Sequence, residues 1–161
     1  MVREPIIVPP DQGRVYPMGR IRAVFKADGN ETAGRYSVSE WWLEPRTRGP
    51  GVHAHAEDHV YYVLAGSLSV YLADDWSEAR QGSCVVIPGG TPHSFENRGS
   101  VRSGFLSFNS PGGFEERMKD IAPALAAEDL RLERTHPVPD PFSDAKMQES
   151  PGQEPAKQAA P

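Results

Sequence analysis

Four of the chain's five histidines fall in two short windows, GVHAHAEDH and GSCVVIPGGTPHSFEN, and this grouping limits the folds the chain can adopt. His53 and His55 are separated by one residue, so on an extended strand both rings leave the same face and can converge on one ion. His59 follows after a gap that can turn the chain into the next strand, and His93 arrives from a second hairpin. Neutral imidazole is the commonest nitrogen ligand of biological metals. A cluster of this kind points to a metal site built from His53, His55, His59 and His93. His136 stands apart from both windows.

Up to about residue 110 the chain reads as short alternating or β-branched runs separated by Gly, Pro, Asn and Asp clusters, the pattern of many short strands. The expected strands are IRAVF, RYSVSEWWL, HVYYVLA, SLSVYLA, SCVVIP, HSFEN and VRSGFLSF, joined by turns such as ADGNETAG, AGS and NRGS. Such spacing suits an all-β antiparallel barrel or sandwich. A helix is expected after SPGG, where Phe114, Met118, Ile121 and Leu125 recur at i, i+4, i+7 and i+11 and form a stripe to pack on the barrel. Pro123 is expected to break or restart it, because an interior proline removes a hydrogen bond and clashes with the preceding turn.

These signals divide the chain into an N-terminal arm over residues 1–11, a barrel with its helix over 12–128, and a Pro-rich tail over 129–161. The tail, rich in Pro, Gln, Glu and Ala, is expected to be disordered. An alternative is that it wraps a neighbouring subunit, with Val138 and Phe142 as anchors.

At 161 residues the chain suits one domain with one sizeable core. A hydrophobic content of 38% and a formal charge of −5 describe an ordinary mildly acidic globular protein without a basic stripe, so nucleic-acid binding is not expected. No run approaches the ~20 apolar residues of a membrane span, and the N-terminal apolar run is too short for a secretory signal, so the expected location is the cytoplasm. Cys84 is the only cysteine; in the run SCVVI it is expected to be a small core residue.

The two histidine windows resemble the paired motifs of the cupin superfamily. Gly82, Pro88, Gly90, His93 and Asn97 match the fixed positions of the second motif, and Gly51, His53, His55 and Gly66 match the first. Where most metal-binding cupins carry a glutamate ligand, this chain has His59. The resemblance covers about residues 12–122, including FNSPGGFEERM, a stretch that often closes single-domain cupins similar to quercetin dioxygenases. It implies a jelly-roll barrel, or double-stranded β-helix, with a short C-terminal helix. Within the superfamily the chain is similar to the four-histidine subgroup, which includes manganese oxygenases and a zinc polyketide cyclase. The implied cofactor is one divalent ion per subunit, Zn, Mn or Fe, with Ni or Cu as further options. The implied assembly is a homodimer, for which the exposed edges of a small barrel supply a physical motive.

Four neutral imidazoles leave a divalent charge uncompensated, which strengthens the ion as a Lewis acid and favours anionic oxygen ligands. Alternation places Tyr61 and Val63 on the face of His59, and Phe95 on the face of His93, so these three are expected to line an apolar substrate pocket. Trp41 and Trp42 should point to opposite faces of their strand, one to the cavity. Glu57 and Asp58 are read first as loop residues or as partners orienting an imidazole, and no catalytic residue is assigned. The basic residues, Arg102 among them, read as surface charges. The leading functional expectation is an enzyme acting on a phenolic, enolic or β-dicarbonyl small molecule, most concretely a polyketide cyclase. The alternatives are a dioxygenase of the quercetinase type and a non-catalytic small-molecule-binding protein.

Overall fold

A computed structural model describes residues 4–10 and 12–132. The expectations for the tail, including Val138, Phe142 and His136, lie outside the described residues. Among the described residues the strands are β1 (Arg14–Met18), β2 (Ile21–Ala27), β3 (Ser37–Leu43), β4 (Thr47–Arg48), β5 (Asp58–Ala65), β6 (Ser67–Leu72), β7 (Asp75–Arg80), β8 (Cys84–Ile87), β9 (His93–Asn97) and β10 (Ser103–Ser110). They form a six-stranded sheet ordered β1-β2-β3-β10-β5-β8 and a four-stranded sheet ordered β4-β9-β6-β7. Every pairing is antiparallel, and the two sheets close over one core as a jelly-roll barrel.

Alternation decides which side chains fill that core. On β3 the buried residues are Ser37, Ser39, Trp41 and Leu43, and the register pairs Trp41 with Phe105 and Ser39 with Ser107 on β10. On β5 the buried residues include His59, Tyr61 and Val63. Trp41 is therefore the inward tryptophan. Trp42 stays outside, where Gly104 leaves room for its ring and the Arg102 guanidinium lies 4.8 Å from the ring centroid.

All seven expected strands are present, and three more were not expected. β1 is interrupted by a proline, β4 has two residues, and β7 (DWSEAR) is polar, so none carries a clear apolar alternation. A four-residue helix, α1 (Gly29–Thr32), sits in the expected turn ADGNETAG, where Asp28 and Glu31 form a capping box that holds it without an apolar stripe.

Three further expectations are corrected. Cys84 is exposed rather than buried: β8 is an edge strand whose inward positions are Val85 and Ile87, so Cys84 and Val86 face outward. Pro123 does not break the helix. A 3-10 turn over Phe114–Arg117 leads into α2 (Met118–Ala126), which runs through Pro123. Both Pro123 and Lys119, the residue whose carbonyl it cannot bond, are exposed, so water can satisfy that carbonyl. Finally, the barrel extends past residue 128. Leu130 is buried in the core, its carbonyl accepts from Arg48 N–H at 2.9 Å, and Leu132 N–H donates to Arg46 O at 2.9 Å. The stripe of Phe114, Met118 and Leu125 does pack on the barrel as expected. Among the described residues no helix is long and apolar enough to cross a membrane.

Candidate metal centre

The first histidine pair does not sit on a regular strand. His53 and His55 lie in an extended loop before β5, where burial still alternates, so both rings turn inward as the one-residue spacing requires. The loop is tied to the second hairpin by an isolated bridge in which His53 N–H donates to His93 O at 3.1 Å and His93 N–H to His53 O at 2.8 Å. Gly90 N–H donates to His55 O at 2.8 Å. Gly90 holds φ +81°, a conformation that favours glycine, and at Gly89 an added Cβ would lie 2.2 Å from Ala56 O. The glycines between Pro88 and His93 thus let the two loops touch. Asn97, at the far end of β9, donates to Leu43 O, Glu44 O and Val101 O and accepts from Gly99 N–H, which anchors the strand carrying His93.

The structure brings all four predicted histidines together. The ring centroids of His53 and His93 are 4.5 Å apart, those of His55 and His93 4.8 Å, and those of His55 and His59 4.2 Å. One ligand atom from each of His53, His55 and His93 lies within 4.8 Å of the others. His59 adjoins this trio differently, with its Nε2 3.0 Å from Nδ1 of His55.

Hydrogen bonding sets the tautomers. His53 Nδ1 lies 2.8 Å from Gly51 O, and His93 Nδ1 lies 2.8 Å from Thr91 O. A carbonyl can only accept, so each Nδ1 carries the hydrogen and each Nε2 holds a free lone pair. Nε2 of His55, Nε2 of His93 and Nδ1 of His59 are buried without a hydrogen-bond partner. Buried nitrogens left open in this way are costly, and for His55 and His93, which with His53 bring ligand atoms within 4.8 Å of one another, a divalent cation would relieve that cost. The donor set fits a metal ion.

Burial reinforces the neutral state. It is the largest influence holding His55 down to about 4 and His59 down to about 3, with the neighbouring histidines adding to both; His93 is lowered chiefly by burial as well, against the opposing hydrogen bond to Thr91. At neutral pH these rings hold no extra proton that a metal would have to displace.

Glu57 and Arg117 complete the surroundings. Glu57 is 8% exposed; one carboxylate oxygen pairs with the Arg117 guanidinium and the other lies 3.4 Å from His55 Nδ1. Burial pushes this carboxyl up, but its backbone hydrogen bond, Arg117 and His55 together bring it below the ordinary range. Glu57 is thus a buried partner of an imidazole. Asp58 is exposed and accepts from Gly89 N–H at 2.7 Å. Arg117, expected to be a surface charge, was missed as a site residue. The available signal was its place three residues after Phe114 in a helical stretch, which puts it on the same face.

His53, His55 and His59 open into a cavity of about 440 Å³ whose lining includes Trp41, Tyr61, Phe95, Phe105 and Phe114, with Ile121, Ala124 and Leu125 of α2 along one side. Arg117 and Glu128 are its charged members, and Ser107 is a small polar one. Of the three pocket residues expected, Tyr61 and Phe95 line the cavity. Val63 does not: it is paired in register with Phe105 and fully buried in the core, outside the cavity lining. Burial raises the Tyr61 hydroxyl well above its ordinary value, so it remains protonated.

Comparison with known proteins agrees with this architecture. Residues 39–108 match the Cupin_2 family, described as a cupin domain. An uncharacterized protein of Streptomyces coelicolor is 25% identical over 73 residues, covering 45% of this chain; the chain spans 64% of that curated relative's length. Among solved structures, an RmlC-like cupin from Shewanella frigidimarina superposes with a TM-score of 0.61 at 16% identity, over 72% of this chain and 99% of the other. The polyketide cyclase RemF from Streptomyces resistomycificus superposes with a TM-score of 0.58 at 24% identity, over 66% of this chain and 80% of the other. With the barrel, the paired motifs and the family match in agreement, residues 39–108 form a cupin domain.

Proposed function

We propose that this chain is a metal-dependent enzyme acting on a phenolic, enolic or β-dicarbonyl small molecule, most concretely a polyketide cyclase. The observation that carries this is the junction of two features: an all-imidazole donor set and an aromatic cavity of about 440 Å³ opening directly onto it. A divalent ion held by neutral imidazoles acts as a Lewis acid, polarising a carbonyl or phenolic oxygen. His53, His55 and His93 hold the ion, and His59 is the proposed fourth ligand. Trp41, Phe95, Phe105 and Phe114 offer flat apolar surface to a conjugated substrate and keep water from it. Tyr61 presents a protonated phenol for hydrogen bonding to a substrate oxygen. RemF, a polyketide cyclase, shares the barrel, so the scaffold accommodates that kind of chemistry, although fold alone does not specify a reaction.

The test is metal analysis of protein purified without a chelating column, followed by incubation with β-diketones and phenols while oxygen is monitored. Turnover that persists without oxygen supports the cyclase. Oxygen consumed in step with substrate loss replaces it with a dioxygenase, and tight binding with no chemical change replaces it with a binding protein. We further propose a homodimer, in which the outward Tyr62 and Val86, 47% and 65% exposed, would gain cover. Sedimentation of a species at only 17.7 kDa excludes that assembly.

A further inference from the structure

His55 has one Nδ1 and two neighbours able to use it. His59 Nε2 lies 3.0 Å away and Glu57 Oε2 3.4 Å away. A neutral imidazole carries one N–H, so a hydrogen on this Nδ1 is donated to one neighbour or the other. The choice decides what His59 can do. While His59 Nε2 accepts that hydrogen its lone pair is occupied, and its own hydrogen sits on Nδ1, buried with no partner. When Glu57 accepts instead, His59 Nε2 is released toward the ring cluster, and His55 still presents a free Nε2.

We propose that Glu57, held by Arg117, is a positioning residue that takes the Nδ1 hydrogen of His55 and thereby releases His59 as fourth nitrogen donor of the metal site. This rests on the metal reading above and adds the residues that set its ligand number. Glu57 is equipped for the role. Its Oε1 is engaged by Arg117, while Oε2 is buried with no hydrogen bond, an unfavourable state that a bond from His55 relieves. The two atoms are already close, with Nδ1 of His55 3.4 Å from Oε2. Arg117 belongs to the same 3-10 turn as Phe114, whose ring centroid lies 5.6 Å from those of both His55 and His59. One turn therefore supplies both the wall that limits ring movement and the cation that aims Glu57.

The experiment uses the full chain loaded with zinc alone. Long-range proton–nitrogen correlation spectra report, for each histidine, which nitrogen is metal-bound and which carries hydrogen. The wild type should show zinc on Nε2 of His59 and hydrogen on Nδ1 of His55. Glu57→Leu should leave His59 unbound and weaken zinc about ten- to a hundredfold in chelator competition, the range for residues that orient a ligand. Arg117→Ala should weaken zinc in the wild-type background and add nothing in the Glu57→Leu background, and Arg117→Lys should restore part of the loss. Metal-free unfolding curves check that the variants fold; should Glu57→Leu not fold, Glu57→Gln, which loses the charge pairing with Arg117, should still weaken zinc. Zinc retained on His59 in folded Glu57→Leu or Glu57→Gln, or additive losses in the double variant, overturns the proposal. A wild type with zinc on only three histidines overturns it alone, whereas a wild type that takes up neither zinc nor manganese overturns the metal reading along with it.

Discussion

His53 and His93 are backbone partners whose N–H groups each donate to the other's carbonyl, and each ring is locked by the same local device, an Nδ1 bond to the carbonyl two residues upstream. Two distant segments thereby converge with their tautomers already set. His53 comes from a loop, yet that loop is braced like a sheet against the start of β9, because a mutually bonded antiparallel pair fixes the direction in which both side chains leave.

The first prediction concerns the trio. Removing a residue that merely orients a metal ligand costs about ten- to a hundredfold in affinity. Losing a ligand should cost more, so His93→Ala is expected to weaken zinc by roughly a hundredfold or more. Chelator competition at fixed pH measures this, and an affinity within tenfold of wild type excludes His93 from the site.

Acid should destabilise the metal-free protein through His55 and His59. Their folded values lie below the ordinary 6.5, at about 4 for His55 and about 3 for His59, so the unfolded chain binds more protons in between. Stability is therefore complete above about pH 6.5 and falls as pH drops from there toward 4 and below, with each ring contributing at most roughly 1.4 kcal/mol per pH unit. Urea midpoints across this range provide the measurement. The fall should be smaller in His59→Gln, and a midpoint flat from pH 7 to 4.5 contradicts the burial of neutral rings.

Gly89 separates packing from ligation. A Cβ there would lie 2.2 Å from Ala56 O, so Gly89→Ala must push apart the loops that carry His55 and Gly90. Overpacking of this kind costs about 1–3 kcal/mol. Zinc affinity should fall as well, although no ligand is altered. Thermal unfolding and metal titration on one preparation test both effects, and unchanged values in each would show that the loop contact is dispensable.

Ala124 tests the cavity wall. It is exposed on α2 and lines the cavity, so Ala124→Phe should change stability by no more than about 0.5 kcal/mol while taking up ligand space. Calorimetry with a flat phenolic ligand on metal-loaded protein should show at least tenfold weaker binding. Equal binding would place the ligand elsewhere.

Much of the site was legible because its residues lie close together in sequence. The one-residue spacing of His53 and His55, the strand HSFEN opening on His93, and the glycines between Pro88 and His93 are local facts with local consequences. Alternation also placed Tyr61 and Phe95 on the cavity side. It failed for Val63, since a shared face does not reveal how far along the strand the cavity reaches, and Val63 is fully buried beyond its lining. The same limit explains Cys84: a four-residue strand has two faces, and only its position at the sheet edge made that of Cys84 the outer one.

The histidine spacing and turn chemistry by themselves determined a small antiparallel barrel with clustered imidazoles, because strand period and loop conformation are properties of neighbouring residues. Only the tertiary structure decided that Trp41 rather than Trp42 faces the cavity, that Arg117 reaches Glu57, and that His59 meets His55. Each of these depends on which distant segments pack together, and the free energy of burying a ring or pairing a charge is settled by whatever covers it.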